Sequence, residues 1–205
     1  MVVLVLLAGC AMASAQEGPG AGKLEVGGWP GGGVILIGGD DNTEVNFNIY
    51  GYGGGASFYV NPKLAVEVEA SYGLGLAQGV NYHNKEVFHV QVPNTLGTSG
   101  NIVIFPGGSA KRVAGYVTGG AGMLTLISRN STKQFGITEA ESFFSANVGG
   151  GMKIFRGGDA RNWGYRIDYR LVIVNSKSDA VPFFAHSKQR IGHRVYVGML
   201  YTMKR

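Results

Sequence analysis

Cysteine is nearly missing from this chain: Cys10 is the single one among 205 residues. It lies in the first apolar stretch, so neither a disulfide framework nor a thiolate metal site is expected downstream of it. Long hydrophobic runs are missing too. After residue 16 nothing approaches the ~20 apolar residues that a membrane-spanning helix requires. Charge comes in no blocks: 18 Lys and Arg against 13 Asp and Glu leave a scattered net +5. Without a basic stripe or a nucleic-acid-binding module, nucleic acid is not an expected partner. Proline is scarce, at 6, whereas glycine is abundant, at 35. Those glycines follow no triplet period and cluster inside apolar segments, as at Gly53-Gly54-Gly55, Gly119-Gly120 and Gly149-Gly150-Gly151. They lack the G-x-x-x-x-G-K-[ST] frame of a phosphate loop, so strand curvature and close packing explain them better.

The first residues have the layout of an export signal. Val2 to Leu7 form an apolar core and Ala13-Ser14-Ala15 an A-x-A-like cleavage site, which predicts a leader over residues 1–15 and a mature start near Gln16. Leu7-Ala8-Gly9-Cys10 also fits a lipoprotein signal with Cys10 as the lipidated residue, and either reading exports the protein. A flexible segment is expected over 16–22, followed by a single domain over 23–205.

Trp163 to Ile173 carries the fold argument. Trp163, Tyr165, Ile167, Tyr169, Leu171 and Ile173 alternate with Gly164, Arg166, Asp168, Arg170 and Val172, giving one greasy and one charged face. The charged face is too ionic for a sandwich core, and the greasy face too aromatic for water. A closed barrel in lipid with a polar interior accepts both. Residues 64–74 alternate in the same way, with Glu67 and Glu69 on the face away from lipid. Residues 144–154 place Lys153 there, and the last strand places Arg194 there.

Elsewhere the pattern is weaker. Leu24, Val26, Val34 and Leu36 share a phase, interrupted by Trp29-Pro30-Gly31-Gly32-Gly33. Residues 46–60 are ambiguous and 111–126 have small residues on both faces. From Phe88 the even positions Phe88, Val90, Val92, Leu96, Ile102 and Ile104 hold one phase, as one long strand or one split at Pro93. Trp29, Tyr50, Tyr52, Phe58, Tyr59, Tyr72, Phe144, Trp163, Tyr165 and Tyr201 are expected in interfacial girdles. About eight strands result, an all-β, closed, antiparallel up-and-down barrel. Its polar connections are longer after the odd strands and tight after the even ones, the asymmetry of outer-membrane barrels.

Tyr196-x-Gly198-x-x-Tyr201-x-Met203 resembles the membrane-insertion signal of bacterial outer-membrane barrels, although the chain runs on to Lys204-Arg205. Phe144 to Lys153 followed by Asn162 to Arg170 resembles the penultimate hairpin of small OmpA/OmpX-like barrel proteins, in which a Gly-Gly-Gly strand leads into a strand with inward Arg and Asp. This resemblance implies a Gram-negative outer-membrane location and a monomeric barrel. Its implied partners are outer-membrane lipid, lipopolysaccharide and the barrel-assembly machinery. It implies no activity, since such barrels include structural proteins, adhesins, narrow pores and a few lipid-modifying enzymes.

Glu67, Glu69, Lys153, Arg166, Asp168, Arg170 and Arg194 form the expected lumenal charge set. In a barrel only just wide enough for side chains they would pair across the lumen and plug or gate a narrow passage, or else simply solubilise and stabilise the interior. Metal, cofactor and catalytic residues are not expected: His83, His89, His186 and His193 are dispersed, and Asn130-Ser131-Thr132 reads as loop polarity. His186 and Ser187, with Glu141 and Asp179 elsewhere, offer a remote lipid A hydrolase reading, but no G-x-S-x-G elbow is present. Lys177, Lys188 and Arg190 are expected to make the last long loop basic, towards anionic lipopolysaccharide. The leading expectation is a non-enzymatic outer-membrane barrel, structural or narrowly porin-like. Its rival is a soluble periplasmic lipocalin-like barrel, in which the charged faces would point outward and the aromatics would line a ligand pocket.

Overall fold

The computed structural model describes residues 19–37, 46–82, 86–129, 139–156, 162–175 and 189–203. Its ten strands are β1 (Leu24–Ile37), β2 (Phe47–Asn61), β3 (Leu64–Gly75), β4 (Ala77–Tyr82), β5 (Glu86–Gln91), β6 (Asn94–Ile104), β7 (Val113–Ile127), β8 (Glu141–Phe155), β9 (Trp163–Asn175) and β10 (Gln189–Thr202). Eight of them close a barrel in the order β1-β10-β9-β8-β7-β6-β3-β2, every pair antiparallel. Closure pairs every interior ladder, which removes the free edge that lipid cannot hydrate. The β4–β5 hairpin stands on the connection between β3 and β6, a region expected to be a polar loop followed by a strand either continuous through Pro93 or split there. Pro93 has no N–H to continue the ladder, and Asn94 restarts it, accepting from Gly75 N at 3.1 Å and donating to Tyr72 Oη at 2.9 Å. Val92, expected to share the phase of Leu96 and Ile102, is therefore turned inward and buried.

The tight connections sit together at one end. Between β2 and β3, Asn61 Oδ1 accepts from Lys63 N at 2.8 Å, an Asx-type turn. Between β6 and β7, Gly108 N donates to Phe105 O at 3.0 Å and Gly108 has φ 83°, a conformation side chains resist. Both described termini lie here as well. Of the segment expected to be flexible, Pro19 is buried and accepts from Ser109 Oγ at 2.6 Å, while Gly22 N donates to Tyr59 O at 2.7 Å.

Alternation assigns the faces. Val66, Val68, Val148, Ile167, Tyr169, Val195 and Val197 are exposed outside, while Glu67, Glu69, Lys153, Arg166, Asp168 and Arg170 are buried inside. These are the faces of a barrel in lipid and the reverse of those in a lipocalin-like barrel. In β1 the expected single phase is wrong. Gly28 pairs with Met199 and Gly31 with Val197, so Trp29 and Pro30 together oppose Gly198, a β-bulge that also accommodates the proline. The extra residue flips the alternation: Leu24 faces out and Glu25 in below the bulge, and Ile35 faces out and Leu36 in above it. Trp29 is thereby drawn into the lumen, stacked on Tyr196 with ring centroids 4.3 Å apart. Trp29 and Tyr59, expected in the outer girdles, are both interior residues; Tyr50, Tyr52, Phe58, Phe144, Trp163 and Tyr165 are exposed outside.

Candidate functional site: the charged lumen

In the strand order β9 and β3 stand four places apart, so they face each other across the barrel. Arg166, Asp168 and Arg170 rise at a period of two on β9, and Glu67 and Glu69 do so on β3. Each guanidinium thus meets carboxylates from the far wall and its own strand. Arg166 grips Glu67 bidentately, Nη1 to Oε2 at 2.5 Å and Nη2 to Oε1 at 3.1 Å, and reaches Asp168 Oδ2 at 2.8 Å. Arg170 reaches Glu67 Oε1 at 2.8 Å, Glu69 Oε2 at 2.9 Å and Asp168 Oδ1 at 3.0 Å, with Asn147 Oδ1 at 3.2 Å. From β10, Arg194 pairs with Glu69 Oε2 at 2.9 Å.

A second cluster lies nearer the tight turns. Lys153 Nζ pairs with Glu25 Oε1 at 2.5 Å and donates to Tyr59 Oη at 3.0 Å, and Tyr59 Oη donates to Glu25 Oε2 at 2.9 Å. The ammonium also sits 5.3–5.8 Å from the ring centroids of Tyr59, Phe105 and Tyr116, within cation–π range. Tyr116 ties the clusters together, accepting from Arg166 Nε at 2.7 Å and donating to Asp168 Oδ2 at 2.5 Å. The four carboxylates of Glu25, Glu67, Glu69 and Asp168 face the four cations of Lys153, Arg166, Arg170 and Arg194. Charge is balanced, as burial at this depth requires. Arg170, Lys153 and Asp168 have 0% exposure, so side chains fill this level of the lumen.

The glycine run of β8 makes that filling possible. A Cβ at Gly149 would lie 3.0 Å from Arg170 Cγ, and one at Gly151 2.5 Å from Tyr116 Oη, so bare backbone leaves the space these long side chains occupy. Towards the long connections the lumen changes character. A cavity of about 70 Å³ borders Glu69, Arg194 and Asn147. Beyond it lie the apolar side chains of Leu36, Phe47, Ile49, Val92, Leu126, Phe143 and Val174.

All seven residues of the expected charge set are brought together. Glu25, Tyr59, Tyr116 and Asn147 join them without having been expected there. Glu25 was legible, since Leu24 and Val26 outside put it inside, but the phase beyond the bulge obscured this. Arg190 was misplaced. It lies in β10 rather than in a basic loop, buried with its guanidinium 4.5 Å from the Phe47 centroid, and it shares the inward phase of Arg194. The proposed insertion residues divide between faces. Tyr196 points inward, donating to Glu69 Oε1 at 2.9 Å, and Gly198 lies against Trp29. Tyr201 rests on Trp163 outside at 5.0 Å, and Met203 lies just past the end of β10, its N donating to Leu24 O at 2.8 Å. Among the described residues no group of three His, Cys, Asp or Glu is set to hold a metal. The leader, the Cys10 motif, His83, the Asn130-Ser131-Thr132 sequon, Lys177, Asp179, His186, Ser187 and Lys188 lie outside the described residues. Glu141 is exposed at the start of β8.

A closed antiparallel barrel of eight strands, apolar outside and ionic within, defines an integral outer-membrane barrel protein. The chain belongs to the outer membrane protein beta-barrel domain family, whose family model matches residues 1–199. Its fold is similar to that of Neisserial surface protein A, at a TM-score of 0.60 and 9% identity, covering 89% of this chain and 98% of that one. It is also similar to the outer membrane protein OprG from Pseudomonas aeruginosa, at 0.56 and 11%, covering 93% and 100%. The N-terminal β-barrel domain of Pseudomonas aeruginosa OprF aligns at 0.51 and 14%, covering 89% and 100%. At such identities the likeness is one of fold. Among curated proteins no sequence match is found.

Proposed function

We propose that the protein is a non-enzymatic structural barrel of the outer membrane whose lumen is held shut by the Arg166–Arg170 ion-pair layer, with the long connections available as an outward surface for partners. The observation that carries this reading is the pairing of strands on opposite walls: Arg166 and Arg170 of β9 clasp Glu67 and Glu69 of β3 with no exposure left at Arg170 or Asp168. A solute would have to break several charge-assisted bonds at once, in a medium where an unpaired charge is costly. The same pairing argues against catalysis in the lumen, because each carboxylate of this layer is already engaged by cations and unavailable as a free acid or base. The strand carrying Tyr196, Gly198 and Tyr201, with Met203 just past its end, closes the barrel against β1, which suits it to be read by the barrel-assembly machinery before closure. Arg166→Ala removes one clasp and opens space beside Tyr116, so its single-channel conductance in planar bilayers should rise above that of the parent. Equal conductance in the two proteins would sink the plug reading.

A further inference from the structure

The two ends of the barrel differ in charge. At the end with the tight turns, which outer-membrane barrels direct towards the periplasm, Lys23 precedes β1, Lys63 sits between β2 and β3, Lys111 and Arg112 between β6 and β7, and Arg156 between β8 and β9. Lys63, Lys111, Arg112 and Arg156 are exposed and Lys23 is half-buried. Among the described residues this rim exposes no carboxylate, since Glu25 is turned inward onto Lys153. In the order of the barrel these cations are spread around the mouth rather than gathered at one turn. By sequence, the β8–β9 connection adds Asp159 and Arg161 to this end, and the connections at the other end mix both signs more evenly, with Asp40, Asp41, Glu44 and Asp179 beside Lys133, Lys177 and Lys188.

At one point the rim has a shape as well as a charge. An open groove of about 240 Å³ runs down the outer wall from Arg156, between Trp163, Gly164, Tyr165 and Met199. Gly164 contributes only backbone to its floor, since its Cα faces the lumen beside Leu200 and Phe155, and Trp163, braced against Tyr201 at 5.0 Å, walls one side. The outer side chains of Trp163, Tyr165 and Met199 are exposed, at 47%, 45% and 50%. A guanidinium at the water boundary above an aromatic and thioether trough matches a phospholipid in both halves: phosphate for Arg156, acyl chain for the trough. A cationic rim on the leaflet side selects a net negative headgroup over a zwitterionic one.

We propose that this groove is a binding site for an anionic phospholipid of the periplasmic leaflet, with Arg156 on the headgroup phosphate and Trp163, Tyr165 and Met199 along the acyl chain. The sequence provides its own reporter, for Trp163 lines the groove while Trp29, the other of the two tryptophans, is buried in the lumen. The full chain is refolded into phosphatidylcholine vesicles containing a small fraction of acyl-brominated phosphatidylglycerol, or the same fraction of acyl-brominated phosphatidylcholine. Tryptophan quenching by the anionic lipid should exceed that by the zwitterionic one about threefold to fivefold, the effect of roughly one extra charge contact at the surface. Arg156→Gln should remove the excess, and Arg156→Lys should restore part of it, with the heat-modifiable gel shift reporting a folded barrel in each. Trp163→Phe should abolish the excess, leaving Trp29 blind to both lipids. Equal quenching by the two lipids, an excess that survives Arg156→Gln, or an excess still seen in Trp163→Phe overturns the site. Soluble glycerol phosphate added at the concentration of the brominated lipid should not compete; if it does, the site recognises free phosphate and the lipid assignment falls.

Discussion

The lumen has two layers of unlike design, and the contrast bears on the proposal that the charged one closes it. Near mid-barrel, Glu67, Glu69, Asp168, Arg166 and Arg170 hold one another from opposite walls, and most of their oxygens and nitrogens have partners. Towards the long connections, Leu36, Phe47, Ile49, Leu126, Phe143 and Val174 make an apolar layer, with a cavity of about 70 Å³ beneath Leu36 and Ile49. The first layer is directional and tightly filled, whereas the second is non-directional and borders open space. Buried ion pairs contribute little net stability against an apolar replacement, but losing one partner strands the others. The charged layer is therefore the brittle one and the apolar layer the tolerant one.

Substitutions can set the layers against each other. Arg170→Ala leaves Glu67, Glu69 and Asp168 each short of a cation and should cost about 3–5 kcal/mol, read as a lower urea midpoint for the barrel in vesicles. Leu126→Ala, in the apolar layer, should cost about 2 kcal/mol by the same measurement, at the low end for a buried leucine because the surrounding layer already adjoins empty space. A greater loss for Leu126→Ala than for Arg170→Ala would invert the comparison. The smallest effect is expected at Thr118, on the lumenal face of β7, whose Oγ1 is buried without a hydrogen-bond partner among the described residues. Thr118→Val keeps the shape and removes an unsatisfied hydroxyl, so stability should stay level or rise by up to about 1 kcal/mol. A clear loss there would mean that the hydroxyl is engaged after all.

The charged layer was largely legible in the sequence because β3, β8, β9 and β10 alternate strictly through it, and a period of two fixes which side chains meet. Glu67 and Arg166 could thus be placed on one surface from sequence alone, but not their bidentate pairing, which depends on β3 and β9 standing opposite. Small residues on both faces of β7 hid Tyr116. In β1 the bulge at Pro30 inverted the phase, misdirecting Trp29 and concealing Glu25. Arg190 was assigned to the loop because the polar run before it blurred the start of β10, although its spacing from Arg194 is that of one face. The β4–β5 hairpin has only a short local pattern, and the break at Pro93 that separates it from the barrel was one of two readings the residues allowed.

That the charged layer closes the lumen is tested most directly by single-channel conductance in planar bilayers, comparing Arg170→Ala with Leu126→Ala. Conductance should rise above the parent's in Arg170→Ala and stay at the parent's level in Leu126→Ala. A rise confined to Leu126→Ala, or none in Arg170→Ala, would contradict it.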